Sequence, residues 1–384
     1  MAAAALVAGL RVSPGASDLR ARPALAGRLR ETPHNYFRFV NRAFSVAVCR
    51  LFGDVRGSLP DVSLHGDAHV EQYAVTSLGH GLSDFDDAAR GPYVVDLVRF
   101  GVSLELAARA KGWGDADGAI DDFLRGYHDA LLDPTLERPP RRTIRRARAV
   151  FAFDHGLALR RAEALMALHP VAPSELQARL RPYTARMRVE SPALPASFFR
   201  IKQAGRLELG IGSALDEKYL LRVEGWTEEE GDDQVLEAKS VHQRSDTECV
   251  HAEGPGRVSL GMSLIARRSF PFSGLVERGD RVLWIHGWTD DYVELKIDDS
   301  FPELRDLQQV AYDVGTQLGR AHPKLVPRRA TPRSHRTRLL ESARAHAGRI
   351  LGAIDELTEA TVEAWSAFRG EARVGFGAPH EHHP

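Results

Sequence analysis

The sequence contains little cysteine. Cys49 and Cys249 are the only two cysteines in 384 residues. They are too few for a disulfide framework, and they do not form a CxxC pair that could hold a metal. Their scarcity is typical of a protein from a reducing compartment, so we expect a cytoplasmic location.

Long apolar segments are also absent from the sequence. No run approaches the roughly eighteen apolar residues that a membrane-spanning helix needs. The first ten residues, MAAAALVAGL, are apolar, but no basic segment precedes the apolar stretch and Arg11 ends it. We therefore expect a soluble protein with no membrane partner and a frayed N-terminus.

Charge of neither sign dominates the chain. There are 51 Lys and Arg against 52 Asp and Glu, a formal net charge of −1, so no overall field favours nucleic acid as a partner. The length permits a substantial core in two or three domain-sized units. An arginine-rich segment, ERPPRRTIRRAR (137–148), is best interpreted as a solvated helix face, with reception of an anionic substrate as the alternative.

Two acidic motifs stand close together in the first hundred residues. The first, HGDAHVEQ (65–72), places Asp67 between two histidines and ends in the carboxamide of Gln72. The second, SDFDDA (83–88), supplies Asp84, Asp86 and Asp87. Phosphoryl transfer needs one carboxylate to position or deprotonate an acceptor hydroxyl and oxygen ligands that hold Mg²⁺ on nucleotide phosphates. These two motifs contain the required types of side chain.

The segment that joins the motifs predicts a short hairpin. Residues 73–82, YAVTSLGHGL, carry Gly79 and Gly81 near their end, which is typical of a turn between strands. A hairpin here returns the chain and brings Asp84 back beside Asp67.

The surroundings of these motifs are predicted to be mostly helical. Apolar residues recur at steps of three and four, and Val62 with Leu64 predicts a short buried strand before the first motif. The predicted helices cover 36–52, 97–107, 120–131, 304–322 and 338–369.

β patterns begin after the composition changes near Ser191. Two β-rich runs, 206–225 and 234–241, are separated by an acidic turn and predict a hairpin. A GxGS turn, formed by Gly210, Gly212 and Ser213, lies on the approach to the first strand, and Lys239 lies on the second. Glycine-rich backbone can close on phosphates, and a lysine on the facing strand can reach the same oxygens. Further on, 246–270 include a helix-like stretch and 281–297 alternate like paired strands.

The two motifs together resemble those of a known group of enzymes. HGDAHVEQ followed by SDFDDAARGPYVVDL is similar to the HGDxHxxN and DFxDAxxG…DL pair of aminoglycoside and choline kinase-type enzymes. The pair is even more similar to the motifs GDAHxEN and NDFDE of a bacterial family of unknown function. That family is grouped with the protein-kinase-like phosphotransferases.

The resemblance implies an α+β, two-lobed, protein-kinase-like fold. Because the catalytic motifs precede the glycine-rich segment, the order implied is circularly permuted. Residues 1–190 would form a helical large lobe, 195–300 a β-rich small lobe, and 301–384 helices that return to the large lobe and a loose tail.

The same resemblance implies ATP and Mg²⁺ as cofactors and assigns roles to residues. Asp67 would orient the acceptor hydroxyl of a small molecule or peptide and take its proton, with His65 beside it in the catalytic motif. Lys239 and the GxGS turn would position the phosphates. The expected metal ligands are Asp84, Gln72 and Asp86.

Three further residues are expected to support the loop. His65 and His69 would brace it by hydrogen bonds. Asp96, from the DL pair, would brace the same loop, although a simple helix cap explains an aspartate there equally well.

The chain departs from the family pattern at several nucleotide-site positions, which leaves a second interpretation open. Gln72 stands in place of an asparagine, Leu215 in place of a glycine, and Leu260 in place of the helix glutamate that pairs with the lysine. Glu253 or Glu237 are alternative partners for Lys239. A catalytically impaired, pseudokinase-like binding module for a peptide or partner protein is therefore the alternative function.

A third interpretation belongs to another class. The alternation His65-x-Asp67-x-His69 would place three side chains on one face of an extended chain. With Asp84 or Asp86 they could complete a Zn²⁺ or Mn²⁺ shell for a metal-dependent hydrolase.

Overall fold

The computed structural model describes residues 3–136, 141–207, 217–241, 246–252, 254–278, 281–327 and 330–375. These residues form an α+β structure, which confirms the predicted class. None of the helices in the described ranges is long and apolar enough to cross a bilayer. The α-helices are α1 (Ala3–Leu10), α2 (Ser17–Arg20), α3 (Pro23–Glu31), α4 (Pro33–Phe39), α5 (Asn41–Leu51), α6 (Val94–Ala110), α7 (Asp117–Leu132), α8 (Arg142–Arg148), α9 (His155–Leu168), α10 (Pro173–Glu190), α11 (Gly256–Ile265), α12 (Ile297–Ser300), α13 (Leu304–Ala321), α14 (Pro332–Ala345) and α15 (Ala347–Gly375).

The strands form three antiparallel sheets with the orders β1-β4, β10-β2-β3 and β5-β6-β7-β9-β8. The strands are β1 (Asp61–Leu64), β2 (Tyr73–Thr76), β3 (His80–Leu82), β4 (Ala89–Pro92), β5 (Ile201–Arg206), β6 (Lys218–Val223), β7 (Gln234–Val241), β8 (Gly274–Arg278), β9 (Arg281–Gly287) and β10 (Tyr292–Glu294). The predicted hairpin between the two motifs is confirmed as β2 and β3, and the hairpin across the acidic turn is confirmed as β6 and β7.

Four predictions differ from the observed structure. The N-terminus, expected to be frayed, forms helix α1, whose Leu6, Val7 and Leu10 are buried in the main core. The single helix predicted over 36–52 is two helices, because Val40 has a non-helical backbone conformation between α4 and α5. The last helix, predicted over 338–369, is likewise divided into α14 and α15 at His346. The strands predicted within 281–297 do not pair with each other, since β10 pairs with β2 and thereby joins the sheet of the motif hairpin.

The main hydrophobic core surrounds α6, which is buried along nearly its whole length. Phe100 of α6 packs against Phe123 of α7 with ring centroids 4.7 Å apart. Helices α7 and α13 lie so close together that a side chain at Gly126 or Gly315 would collide with the backbone of the facing helix. This helical body supports both acidic motifs from beneath.

The five-stranded sheet has one face packed on helices and one face turned toward the helical body. Leu236 and Ala238 of β7 belong to a second core with Leu180 and Tyr183 of α10. Since side chains alternate along a strand, Lys239 lies on the opposite face, where its cross-strand neighbour is Trp284 of β9. Trp284 belongs to the main core.

The two cysteines are joined. Cys49 in α5 and Cys249, ahead of α11, form a disulfide with Cα atoms 5.5 Å apart across a sequence separation of 200 residues. The scarcity of cysteine therefore no longer supports a reducing compartment, and the cytoplasmic location stays a prediction.

Candidate active site

A cavity of about 530 Å³ lies between the acidic motifs and the open face of the five-stranded sheet. The motifs line it with Asp67, Gln72, Asp84 and Asp86, and the sheet lines it with Lys239. Residues far apart in the sequence thus share one cleft. Gly210, Gly212 and Ser213 lie outside the described residues, as do Leu215 and Glu253.

Lys239 lies between two carboxylates of the second motif. Its Nζ is 2.9 and 3.1 Å from the two oxygens of Asp84 and 2.5 Å from Oδ2 of Asp86. The lysine side chain is 2% exposed. Burial acts to lower its pKa, but the charges of Asp84 and Asp86 outweigh burial and raise the pKa well above the ordinary value. The ammonium group therefore stays charged within the cleft.

The neighbouring Asp84 is fixed by its backbone as well as by Lys239. Its φ is +60°, a left-handed conformation that aspartate adopts more readily than most residues. Before it, Leu82 donates its N–H to Oε1 of Gln317 at 2.8 Å, and Ser83 donates to the carbonyl of Gln72 at 2.9 Å. Burial acts to raise the pKa of Asp84, but the charge of Lys239 prevails and the pKa is lowered.

Asp67 is paired with an arginine that the sequence motifs did not indicate. Arg99 of α6 donates from Nε to Asp67 Oδ1 at 2.9 Å and also from Nη2. Gln72 donates from Nε2 to the other oxygen at 3.3 Å. Burial nevertheless outweighs Arg99 and raises the pKa of Asp67 to about 6. A carboxylate with this pKa can accept a proton near neutral pH.

Asp96 holds the loop that carries Asp67. Its carboxylate accepts the N–H of His65 at 2.7 Å and of Gly66 at 2.9 Å, and it lies 3.3 Å from Nε2 of His322. Gly66 has φ +80°, and any side chain on it would collide with the Asp87 carbonyl. Burial acts to raise the pKa of Asp96, but its hydrogen bond with His322 prevails and the pKa is lowered.

The two histidines of the first motif have different surroundings. His65 Nε2 lies 2.9 Å from the carbonyl of Ser83 and so connects the first motif to the second. His69 packs edge-on against His34, with ring centroids 5.4 Å apart, and neither of its ring nitrogens has a hydrogen-bond partner among the described residues, so the prediction that it braces the loop by hydrogen bonds is wrong. Burial lowers the pKa of both His69 and His34 well below the ordinary value, so both rings are neutral at physiological pH.

This arrangement does not favour a metal-dependent hydrolase. Nε2 of His65 is engaged by the carbonyl of Ser83, and Asp67 is paired with Arg99. Across the described residues, no group of three or more His, Cys, Asp and Glu side chains could hold a metal ion.

The site does suit a cation that is held partly by a ligand. Mg²⁺ is usually bound by one or two carboxylates together with substrate phosphates rather than by an all-protein cage. Asp84 and Asp86 converge on a single positive charge, the Lys239 ammonium, and both line the cleft. Gln72 is directed to Asp67 instead, so its predicted role as a metal ligand is not apparent in this geometry.

The sequence reasoning missed two arginines. Arg99 follows Asp96 by three residues, a spacing that places both on one face of α6 and could have indicated a second buried charge. Arg257 of α11 donates to the carbonyls of Asp86 and Ala88. Leu260, in the position expected for a glutamate, is 47% exposed. Helix α11 therefore contacts the acidic motif through Arg257. The family pattern, which has a glutamate on this helix that pairs with the lysine, did not indicate an arginine in this role.

The sequence reasoning also missed the aromatic wall of the cleft. Phe270 and His286 stack with ring centroids 4.5 Å apart and an interplanar angle of 27°, and Trp284 lies 4.4 Å from His286. All three line the cleft. The wall offers flat surfaces beside the charged cluster.

The family comparison falls on this part of the chain. Residues 20–144 match a bacterial family of uncharacterized proteins. The family is described as "Uncharacterized protein conserved in bacteria (DUF2252)", and the matched range contains both acidic motifs and α6. This agrees with the resemblance to a bacterial family of unknown function. No curated protein matches the chain, and no solved structure matches it.

Proposed function

We propose that the protein is an ATP- and Mg²⁺-dependent phosphotransferase that acts on a hydroxyl group of a small molecule or peptide. The observation that carries the proposal is the position of Lys239 against Asp84 and Asp86, in the same cleft as Asp67. A lysine on a strand, a metal-binding carboxylate and a separate carboxylate base are the groups that kinase-type phosphoryl transfer requires.

The fold that we propose is protein-kinase-like in permuted order. Its small lobe would be the five-stranded antiparallel sheet, with Lys239 in the central strand β7 and α11 after it. Its large lobe would be the helical body that carries the acidic motifs. The cleft between the sheet and the motifs supports this assignment, because kinases hold nucleotide between two such lobes.

The aromatic wall of the cleft would receive the nucleotide base. Flat aromatic rings stack on any base without selecting one by hydrogen bonds. Lys239 would reach the phosphates, and Lys218, its neighbour on β6, lines the same cleft. Burial, followed by the charge of Lys239, lowers the pKa of Lys218, so a phosphate that binds here would stabilise both ammonium groups.

Asp84 and Asp86 would hold Mg²⁺. When bound, the metal neutralises charge on the transferring phosphoryl group. The chain itself fixes the positions of these two carboxylates. Asp84 has a left-handed backbone conformation, and Arg257 donates a hydrogen bond to the Asp86 carbonyl.

Asp67 would act on the acceptor. Its carboxylate takes the proton of the acceptor hydroxyl as the hydroxyl oxygen forms a bond to the γ-phosphorus. The bond from that phosphorus to the bridging oxygen breaks, and ADP leaves with the electron pair. Arg99 and Gln72 hold the carboxylate in place during this exchange.

Thermal denaturation with ATP and Mg²⁺ tests the proposal. A ligand at a hundred times its Kd stabilises the folded state by about 2.7 kcal/mol, so the melting temperature should rise. Asp84→Asn should abolish the rise, whereas Asp67→Asn should keep it and lose turnover. If ATP and Mg²⁺ leave the melting temperature of the wild-type protein unchanged, the proposal is wrong.

A binding module without turnover is the second candidate. The observation that favours it is the Gln72 side chain, which donates to Asp67 rather than presenting its oxygen to Asp84. This candidate, a module that binds a peptide or partner protein, predicts that the wild-type protein transfers no phosphate to any hydroxyl acceptor, including water. Measured ATP turnover that depends on Asp67 would exclude it.

A further inference from the structure

A second cavity, of about 410 Å³, lies between α13, the start of α8 and the residues that follow α11. None of its described lining residues lines the candidate active site. Its size is in the range of small-molecule sites. It is therefore a separate place at which a ligand could bind, and its charges indicate which kind.

Positive charge predominates on the wall of this cavity. Among the described lining residues, the four cationic side chains face a single carboxylate, that of Asp313. The cations are Arg141, Arg267, Arg320 and Lys324. His80 adds no charge, because burial lowers its pKa to about 4.

The one carboxylate is already engaged. Asp313 accepts the hydroxyl of Tyr73 at 2.5 Å on one oxygen and Nη2 of Arg267 at 2.6 Å on the other. The negative charge of Asp313 thus balances the positive charge of Arg267. The other three cations of the wall are not paired with Asp313.

Those three cations have no ion pair within 4 Å to any carboxylate in the described part of the chain. Arg320 has a buried Nε without a hydrogen-bond partner there. Within the described residues, the hydrogen bond of Lys324 is to the carbonyl of Leu264, at 2.7 Å, and burial followed by the charge of Arg320 lowers its pKa. Arg141 lies over the Tyr312 ring, with its guanidinium carbon 5.9 Å from the centroid. Like charges that are partly removed from water raise the free energy of the folded protein unless an anion joins them.

We infer that this cavity binds a small anion with two or more negative charges, carried on phosphate or carboxylate groups. Two guanidinium groups offer paired N–H donors that match the oxygens of either group, and the Lys324 ammonium adds a third point of contact. The inference does not depend on the function of the cleft.

Isothermal titration calorimetry at constant ionic strength tests the inference, with inorganic pyrophosphate and citrate as probes. The double variant Arg320→Gln/Lys324→Gln should bind at least about tenfold more weakly than the wild type, because two charge-assisted contacts are lost. Arg161→Gln is the matched control, since Arg161 is exposed on α9 and lines neither cavity. It should bind like the wild type.

The same titration separates this cavity from the cleft. Lys239→Met removes the phosphate-binding lysine of the cleft and should leave the affinity for both probes unchanged if they bind at Arg320. Binding of pyrophosphate alone identifies a phosphate ligand, and binding of citrate alone identifies a carboxylate ligand. If the double variant is unfolded, Arg141→Gln serves in its place.

Three results would overturn the inference. The first is that neither probe binds the wild-type protein at millimolar concentration. The second is that the double variant binds as tightly as Arg161→Gln. The third is that Lys239→Met abolishes binding, which would place the anion in the cleft.

Discussion

Arg99 and Asp67 form an ion pair in which both side chains are withdrawn from solvent. Arg99 is fully buried and Asp67 is 5% exposed, with Nε 2.9 Å from Oδ1. The guanidinium carbon of Arg99 also lies 4.2 Å from the ring centroid of Phe37. A buried cation held on a ring face has one orientation, so Arg99 fixes the Asp67 carboxylate relative to α6.

Replacement of Arg99 should therefore damage both stability and chemistry. Arg99→Met leaves the Asp67 charge buried without its partner, a change that typically costs about 3–5 kcal/mol of unfolding free energy. Denaturant unfolding measures this loss. Arg99→Lys keeps the charge but not the two-point contact, so it should lose less stability. Equal stability of wild type and Arg99→Met would show that the pair does not hold the loop.

The pH dependence of turnover should report the pKa of Asp67. A base must be deprotonated to work, and burial raises the pKa of this carboxyl to about 6. The rate should thus be constant above that pH and fall about tenfold per unit below it. Arg99→Lys should keep the inflection near its wild-type position, whereas Arg99→Met should move it upward, because loss of the positive charge favours the protonated acid. A wild-type rate that is unchanged down to pH 4 would exclude Asp67 as the base.

Much of the fold around the motifs could be predicted, because local patterns encode it. Gly79 lies in the turn of the β2–β3 hairpin, Gly81 lies just beyond it within β3, and the apolar spacing of 304–322 marks α13. The pairing of β10 with β2 could not be predicted from alternation alone. That pairing depends on residues more than 200 positions apart, which no local pattern specifies.

The candidate site divides in the same way. Asp67, Asp84 and Lys239 carry motif signals, and the structure brings them to one cleft. Arg99, Arg257 and the Phe270–His286 stack have no motif, since each is defined by a tertiary contact. Similarly, the number of cysteines could not reveal that Cys49 and Cys249 meet, because the disulfide depends on where α5 packs.

Removal of the lysine charge should expose the repulsion between its two partners. Asp84 and Asp86 share the ammonium of Lys239, so Lys239→Met leaves two carboxylates facing each other. We expect ATP turnover to fall by about 10²–10³-fold, which is the loss seen when one preorganised electrostatic contact is removed. Lys202→Met is the control, because this lysine pairs with Asp233 outside the cleft. Wild-type turnover in Lys239→Met would show that Lys239 is not needed for phosphoryl transfer.

Truncation of Asp96 should loosen the loop that carries Asp67. Asp96→Ala leaves the amides of His65 and Gly66 without their acceptor, and each unsatisfied buried donor costs about 1–3 kcal/mol. The unfolding free energy should fall accordingly, and hydrogen exchange at these two amides should accelerate. Asp121→Ala, on the exposed face of α7, should change neither quantity. Unchanged exchange in Asp96→Ala would show that the loop does not depend on this carboxylate.

Reduction of the disulfide should lower stability because the bond closes a long loop. Cys49 and Cys249 are 200 residues apart, and in the chain-entropy account a loop of this length contributes about 5 kcal/mol to the unfolding free energy. Denaturant unfolding with and without dithiothreitol measures the difference. The double variant Cys49→Ser/Cys249→Ser should match the reduced wild type and should not respond to dithiothreitol.

Reduction of the disulfide should also weaken the effect of ATP and Mg²⁺ on the melting temperature. The reason is that Cys249 precedes α11, whose Arg257 donates a hydrogen bond to the Asp86 carbonyl. A nucleotide effect that is unchanged while stability falls would show that the bond supports the fold without supporting the site.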